Sequence, residues 1–137
     1  MTPPSDGAAA KQTVHAEHRA SAWVRLMRPK QWTKNAFVLA PLLFSGRAME
    51  VSSVQSALTG FAAFCFAASA VYVFNDVNDR VEDREHPTKR LRPVASGLIG
   101  AGQARIAAAL LAAVAILVAW QVGTVVAGYI ALYLTLN

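Results

Sequence analysis

Five of the eight acidic residues of this chain fall within ten positions: Asp76, Asp79, Glu82, Asp83 and Glu85. Asp76, Asp79 and Asp83 stand at i, i+3 and i+7, offsets that share one face of a helix. Asn75 lies beside them, four residues before Asp79. Carboxylates this close repel one another unless a cation sits among them. Hard oxygen ligands suit Mg²⁺, which is commonly shared with substrate phosphates. Lys89, Arg90 and Arg92 follow at once and can bind phosphate oxygens. Arg28, Lys30 and Lys34, upstream, add to a cationic collar. The competing interpretation is a solvated loop of alternating charge, with five acids against five bases between Asp76 and Arg92. A calcium loop fits poorly, since the glycine turn and the spacing of an EF-hand are missing. Gly97, Gly100 and Gly102 match neither GxxxxGK[ST] nor GxGxxG, and read as a flexible entry to the apolar stretch that follows.

The elements that must position these groups are apolar. The chain has 137 residues, of which 55% are hydrophobic and only 15% charged, against about 25% charged for an ordinary soluble domain. No charge occurs from Val51 to Asn75 or from Ile106 to Asn137, and charge-free apolar stretches of about 18 residues or more read as membrane spans. The fold class expected is an all-α membrane protein, a partial helix bundle of about four spans near residues 31–47, 54–75, 104–122 and 125–137. The first is short, takes in polar flanks and carries Pro41, which predicts a kink. The second keeps Gly60, Ala63, Ala67 and Ala70 spaced for close helix packing. One helix from Ile106 to Asn137 would be about 48 Å long, too long for a ~30 Å hydrocarbon core. Gln121-Val122-Gly123-Thr124 therefore reads as the break of a hairpin.

Residues 1–21 are small and polar and read as a disordered cytoplasmic tail, with His15 and His18 solvated. Residues 22–27 read as a short amphipathic helix for the membrane surface, ended or redirected by Pro29. Basic residues cluster before span one and between spans two and three, which places the N-terminus and the 75–103 loop in the cytoplasm. The formal net charge of +5 sits next to apolar spans and so speaks for anionic headgroups rather than nucleic acid. Cys65, the single cysteine, excludes an internal disulfide and a four-cysteine zinc site.

Asn75-Asp76-x-x-Asp79-x-x-x-Asp83 resembles NDxxDxxxD, the first aspartate-rich motif of the UbiA superfamily of intramembrane prenyltransferases. The segments Arg28-Pro29-Lys30-Gln31-Trp32-Thr33-Lys34-Asn35 and His86-Pro87-Thr88-Lys89-Arg90-Leu91-Arg92-Pro93-Val94-Ala95-Ser96-Gly97 look most like its branch of decaprenyl-phosphate phosphoribosyltransferases. The resemblance covers residues 24–137 and only the amino-terminal half of the family pattern. It implies Mg²⁺ and diphosphate binding by Asn75, Asp76, Asp79 and Asp83, with Asp76, Asp79 and Asp83 as the catalytic carboxylates. It implies phosphate contacts from Lys34, Lys89, Arg90 and Arg92. It further implies transfer of phosphoribose from phosphoribosyl pyrophosphate to a polyprenyl (decaprenyl) phosphate, for cell-wall arabinan synthesis at the plasma membrane. A prenyl transfer from a prenyl diphosphate to an aromatic acceptor is the alternative within the family. The family's second acidic motif has no counterpart, because no acid follows Glu85. A non-catalytic membrane fragment is therefore the third expectation, with residues 1–137 alone inactive. Homo-oligomerisation is left open.

Overall fold

The computed structural model describes residues 19–137, and every regular element in that range is helical. The expected tail, with His15 and His18, lies outside the described residues apart from residues 19–21. Those three are already helical, so the first helix, α1, occupies residues 19–27 rather than starting at Ala22.

α1 does not lie free on a surface. Ala22 and Leu26 are fully buried, packed with Val73, Val77, Val94, Ile99, Ala104 and Ala108. These two positions are four apart and so lie on one helix face, which docks onto protein instead of lipid. The helix stops at Arg28, whose backbone is left-handed (φ 51°, ψ 56°), and Pro29 opens the next element. Arg28 is the one non-glycine residue with positive φ among the described residues.

Pro29–Leu39 forms a 3₁₀ helix of 11 residues, followed by the five-residue α2, Ala40–Phe44. The single kinked α-helix expected over residues 31–47 is thus corrected to a 3₁₀ run that turns into a short α-helix. Its proline supplies one reason. Pro41 has no N–H to give the Phe37 carbonyl in α geometry, and that carbonyl accepts from the Ala40 N–H instead. The tighter winding lengthens the element. At about 2.0 Å per residue for the 3₁₀ part and 1.5 Å for the α part, 16 residues reach about 30 Å.

After a turn at residues 45–50, α3 runs from Val51 to Asn78. α4 (Arg80–Glu85), a 3₁₀ turn (Lys89–Leu91), α5 (Ala101–Val122) and α6 (Thr124–Leu136) complete the chain. α3 and α5 are the two helices long and apolar enough to cross a membrane, and α6 is a shorter apolar helix. At 28 residues, α3 is about 42 Å long, so its polar end projects past a ~30 Å core.

α3 and α5 run antiparallel. Val73 and Val77 pack beside Ala104 and Ala108 at one end, and Ala63 and Ala67 beside Ala115 and Ala119 at the other. Ala127 and Ile130 of α6 join the second cluster, where the Phe64 and Tyr133 rings meet with centroids 5.7 Å apart. Of the small-residue stripe expected on span two, Ala63 and Ala67 belong to this surface, Ala70 is buried, and Gly60 is buried facing Val38 of the 3₁₀ helix. Gly123 makes the hairpin with φ 154° and ψ 159°, a region essentially reserved for glycine.

The 75–103 connection is ordered rather than a flexible entry. Val94, Ala95 and Ile99 are buried, and Arg84 Nε donates to the Ala95 carbonyl at 3.1 Å. Gly100 precedes the first turn of α5, where its N–H donates to Gln103 Oε1 at 3.3 Å.

Candidate functional site

The end of α3 carries the charged cluster. The Asp79 N–H still donates to the Asn75 carbonyl, and the Asp83 N–H to the Asp79 carbonyl, each at 2.8 Å. Yet Asp79 leaves helical geometry (φ −83°, ψ 1°) and separates α3 from α4. The corner breaks the expected common face. Asp76 and Asp83 are each only 2% exposed, whereas Asp79 faces outward and Asn75 is half-buried. Two carboxylates therefore converge instead of three, and no group of three or more His, Cys, Asp or Glu side chains arranged to hold a metal occurs among the described residues.

Arg92 joins the two buried acids. Its Nη1 lies 3.3 Å from Asp76 Oδ1 and 2.7 Å from Asp83 Oδ2. Lys89 Nζ approaches Asp83 Oδ1 at 3.9 Å. Buried carboxylates cost several kcal/mol unless paired, and Arg92 pairs both at once. The local sequence places it there. The His86 Nδ1 accepts from the backbone N–H groups of Thr88 and Lys89, both at 3.3 Å. This closes a tight turn after Pro87 and returns the chain across α4.

The second arginine on Asp76 comes from 48 residues upstream. Arg28 Nη2 meets Asp76 Oδ1 at 2.5 Å, and its guanidinium lies 4.9 Å from the centroid of the Tyr72 ring, a cation–π distance. Ser69, fully buried one turn further down α3, fixes the turn that presents Arg28. Its Oγ donates to the Met27 carbonyl at 2.8 Å and accepts from Trp32 Nε1 at 3.0 Å. One hydroxyl so ties the residues on either side of Arg28 to α3. Sequence reasoning counted Arg28 in the cationic collar but gave it no place in the site. Two buried acids that need counter-charges were a usable signal for it; the left-handed turn was not.

The other expected phosphate contacts divide. Lys89 and Arg92 join the cluster. The Arg90 side chain is exposed and makes no ion pair among the described residues. Lys34 is exposed too, and its neighbour Asn35 bonds Cys65 Sγ at 3.6 Å. Cys65 precedes Asp76 by about 16 Å along the helix axis, so Lys34 stands apart from the cluster of ion pairs.

Arg25, Arg28, Asp76, Thr88, Leu91, Arg92 and Pro93 line a cleft of about 290 Å³. Oxygen donors from Asp76 and Asp83, whose bridged oxygens are at most 6.0 Å apart because one Nη1 touches both, have the chemistry Mg²⁺ requires. That ion commonly takes one or two carboxylates and completes its shell with water and substrate phosphate. Arg92 Nη1 takes the place between these oxygens, and the described residues form no all-protein cage for such an ion.

The described residues form an all-helical protein in which two helices are long and apolar enough to cross a membrane and an acid–arginine cluster sits at one end of them. The chain belongs to the UbiA prenyltransferase family, whose pattern matches residues 36–137. The decaprenyl-phosphate phosphoribosyltransferase of Corynebacterium glutamicum is 41% identical over 105 residues, 74% of this chain and 32% of that protein. The protein of the same name from Mycolicibacterium smegmatis is 38% identical over 121 residues, 85% of this chain and 38% of that protein. Nodulation protein NoeC of Azorhizobium caulinodans is 39% identical over 109 residues, 77% of this chain and 35% of its own length. The chain thus spans about a third of the length of these curated relatives.

Proposed function

We propose that this chain contributes the donor-binding half-site of a transferase that moves phosphoribose from phosphoribosyl pyrophosphate to a polyprenyl (decaprenyl) phosphate, for cell-wall arabinan synthesis. The observation that carries the proposal is the identity of 38–41% to phosphoribosyltransferases across most of this chain. The Asp76–Arg92–Asp83 bridge, of which Asp76 and Arg92 line the cleft, supports it.

In this reading Asp76 and Asp83 hold Mg²⁺ with the donor diphosphate, and Asn75 and Asp79 belong to the same metal and diphosphate group. When bound, the ion neutralises charge that develops on the leaving diphosphate. Lys89 and Arg92 neutralise the same charge from the protein side. The lipid acceptor is already an anion, so it needs positioning more than a general base. The segment before Pro29 and the 75–103 connection, both basic, meet at one end of the molecule through Arg28 and Asp76. That meeting supports a shared cytoplasmic face at the plasma membrane. No acid follows Glu85. Within the proposal a second acidic cluster comes from outside these residues, and residues 1–137 alone bind donor without turnover.

The test is transfer of label from ¹⁴C-phosphoribosyl pyrophosphate to polyprenyl phosphate in membranes where these residues are joined by the second acidic cluster that the proposal requires, with Mg²⁺ or with EDTA. Expected is labelled lipid that needs Mg²⁺ and disappears in Asp83→Asn. Activity only with a prenyl diphosphate and an aromatic acceptor would replace the donor assignment.

A further inference from the structure

The end of α3 remote from the acids borders an amphipathic crevice that the transfer chemistry does not use. Its volume is about 510 Å³, within the ~300–1,000 Å³ of small-ligand sites. The floor is apolar, with Val38 and Leu42 on one wall, Ala57 and Gly60 on the other, and Val122 and Val126 of the α5–α6 hairpin behind them. A Cβ placed on Gly60 would meet Val38 Cγ1 at 4.0 Å, so the two walls touch at the foot of the space. The rim is polar, formed by Ser45, Arg47, Ser52, Ser53 and Ser56. Asp76 lies about 36 Å from Ser52 along the helix axis, so this space is separate from the cleft beside the acids.

The rim has unused hydrogen-bonding groups. Gly46, with φ 70°, turns the chain after α2. Ser45 Oγ steadies that turn by donating to the Leu42 carbonyl and accepting from the Arg47 N–H. Arg47 Nε, Arg47 Nη2 and Ser53 Oγ all crowd one oxygen, Glu50 Oε2, at 2.8, 2.8 and 3.0 Å. Arg47 Nη1 and Glu50 Oε1 remain for other partners. The Ser52 and Ser56 hydroxyls, four apart on one helix face, make no hydrogen bond among the described residues. The crevice edge therefore offers several donors and one carboxylate oxygen around a pair that is neutral overall.

Depth accounts for this pattern. α3 is about 42 Å long, close to the ~40–45 Å of a bilayer with its headgroup layers. With the charged cluster at one surface, the first turns of α3 reach headgroup depth at the other, and the crevice floor lies among acyl chains. An amphiphile matches both parts. A purely anionic head gains little from Arg47, whose charge Glu50 already offsets. A phosphate joined to a primary ammonium offers an acceptor to Arg47 and a donor to Glu50 at once.

We propose that this crevice binds one aminophospholipid from the leaflet opposite the charged cluster. Its phosphate meets Arg47 and the serine hydroxyls, its ammonium meets Glu50, and one acyl chain lies on the apolar floor.

The experiment is native mass spectrometry of the protein released from micelles charged with equal amounts of phosphatidylethanolamine and phosphatidylglycerol. Expected is one retained phosphatidylethanolamine, preferred about tenfold, the scale of one charge-assisted hydrogen bond. Glu50→Gln, at an exposed position, should remove the preference. Ala57→Phe, which fills the floor, should lose the lipid, while Leu117→Phe, at an exposed position of α5, should retain it. Equal retention of the two lipids by the wild type would overturn the headgroup assignment. Retention unchanged in Ala57→Phe, or lost equally in Leu117→Phe, would overturn the site. A folded wild type that retains no lipid would overturn it too, and would point to another helix or a second copy of the chain as what covers the crevice.

Discussion

The two ends of the α3–α5 pair are held by different physics. At one end Ala63, Ala67, Ala115, Ala119 and Ala127 let helices approach with almost no side chain between them. At the other, two buried carboxylates are paired with Arg28, Lys89 and Arg92. Packing of small side chains is non-directional and sums many weak contacts. Ion pairs out of water depend on one partner being within hydrogen-bond reach. The alanine end therefore specifies distance, and the charged end specifies orientation.

Removing the bridging cation should separate the two regions most sharply. Arg92→Met leaves Asp83 and Asp76 with fewer counter-charges and is expected to cost about 3–5 kcal/mol, read by denaturant titration in detergent micelles. Adding Asp83→Asn should recover much of it. An Arg92→Met protein as stable as the wild type would mean that the charged end is not held by its pairs.

At the alanine end the expected penalty is smaller and purely steric. Ala67→Leu, at a fully buried position, is expected to cost about 1–3 kcal/mol by overpacking, while ³¹P detection of pyrophosphate binding stays unchanged. Loss of binding would show that the two ends are mechanically coupled. Gly123→Ala is expected to cost about 1 kcal/mol, the lower end for a disallowed backbone, because no atom lies within 4 Å of the added methyl.

The smallest effect belongs to Glu50, in the exposed turn before α3. Hydrogen bonds from Ser53 and Arg47 hold its carboxyl below the ordinary carboxylate range. A lowered folded-state pKa adds stability above the unfolded-state value and loses it as the pH falls through the folded value. An NMR titration should show the low midpoint, and Arg47→Gln should raise it.

Much of the scaffold was legible because its signals are local. Charge-free length marked α3 and α5, the small-residue spacing marked their contact, and Gly123 marked the hairpin. Residues 29–39 were not legible as 3₁₀, since a polar start followed by a short apolar run carries no clear period of either helix type. The acidic motif was legible as a cluster, but the turn of Asp79 out of line depends on a corner that spacing alone does not encode. Arg28 was hardest to place, because its partner lies 48 residues away and its left-handed backbone has no glycine or asparagine to announce it.

The Ser69 hydroxyl has an optical consequence. Of the three tryptophans, Trp32 alone donates its indole N–H to a side chain of α3, and that same hydroxyl holds the Met27 carbonyl next to Arg28. Trp120 stands exposed near the far end of α5. A rearrangement of the Arg28 turn that breaks the Ser69 bonds is expected to alter the surroundings of Trp32 more than those of Trp120. With Trp23 replaced by Phe, Trp32 would report on the Arg28 turn by its emission and Trp120 would serve as the reference.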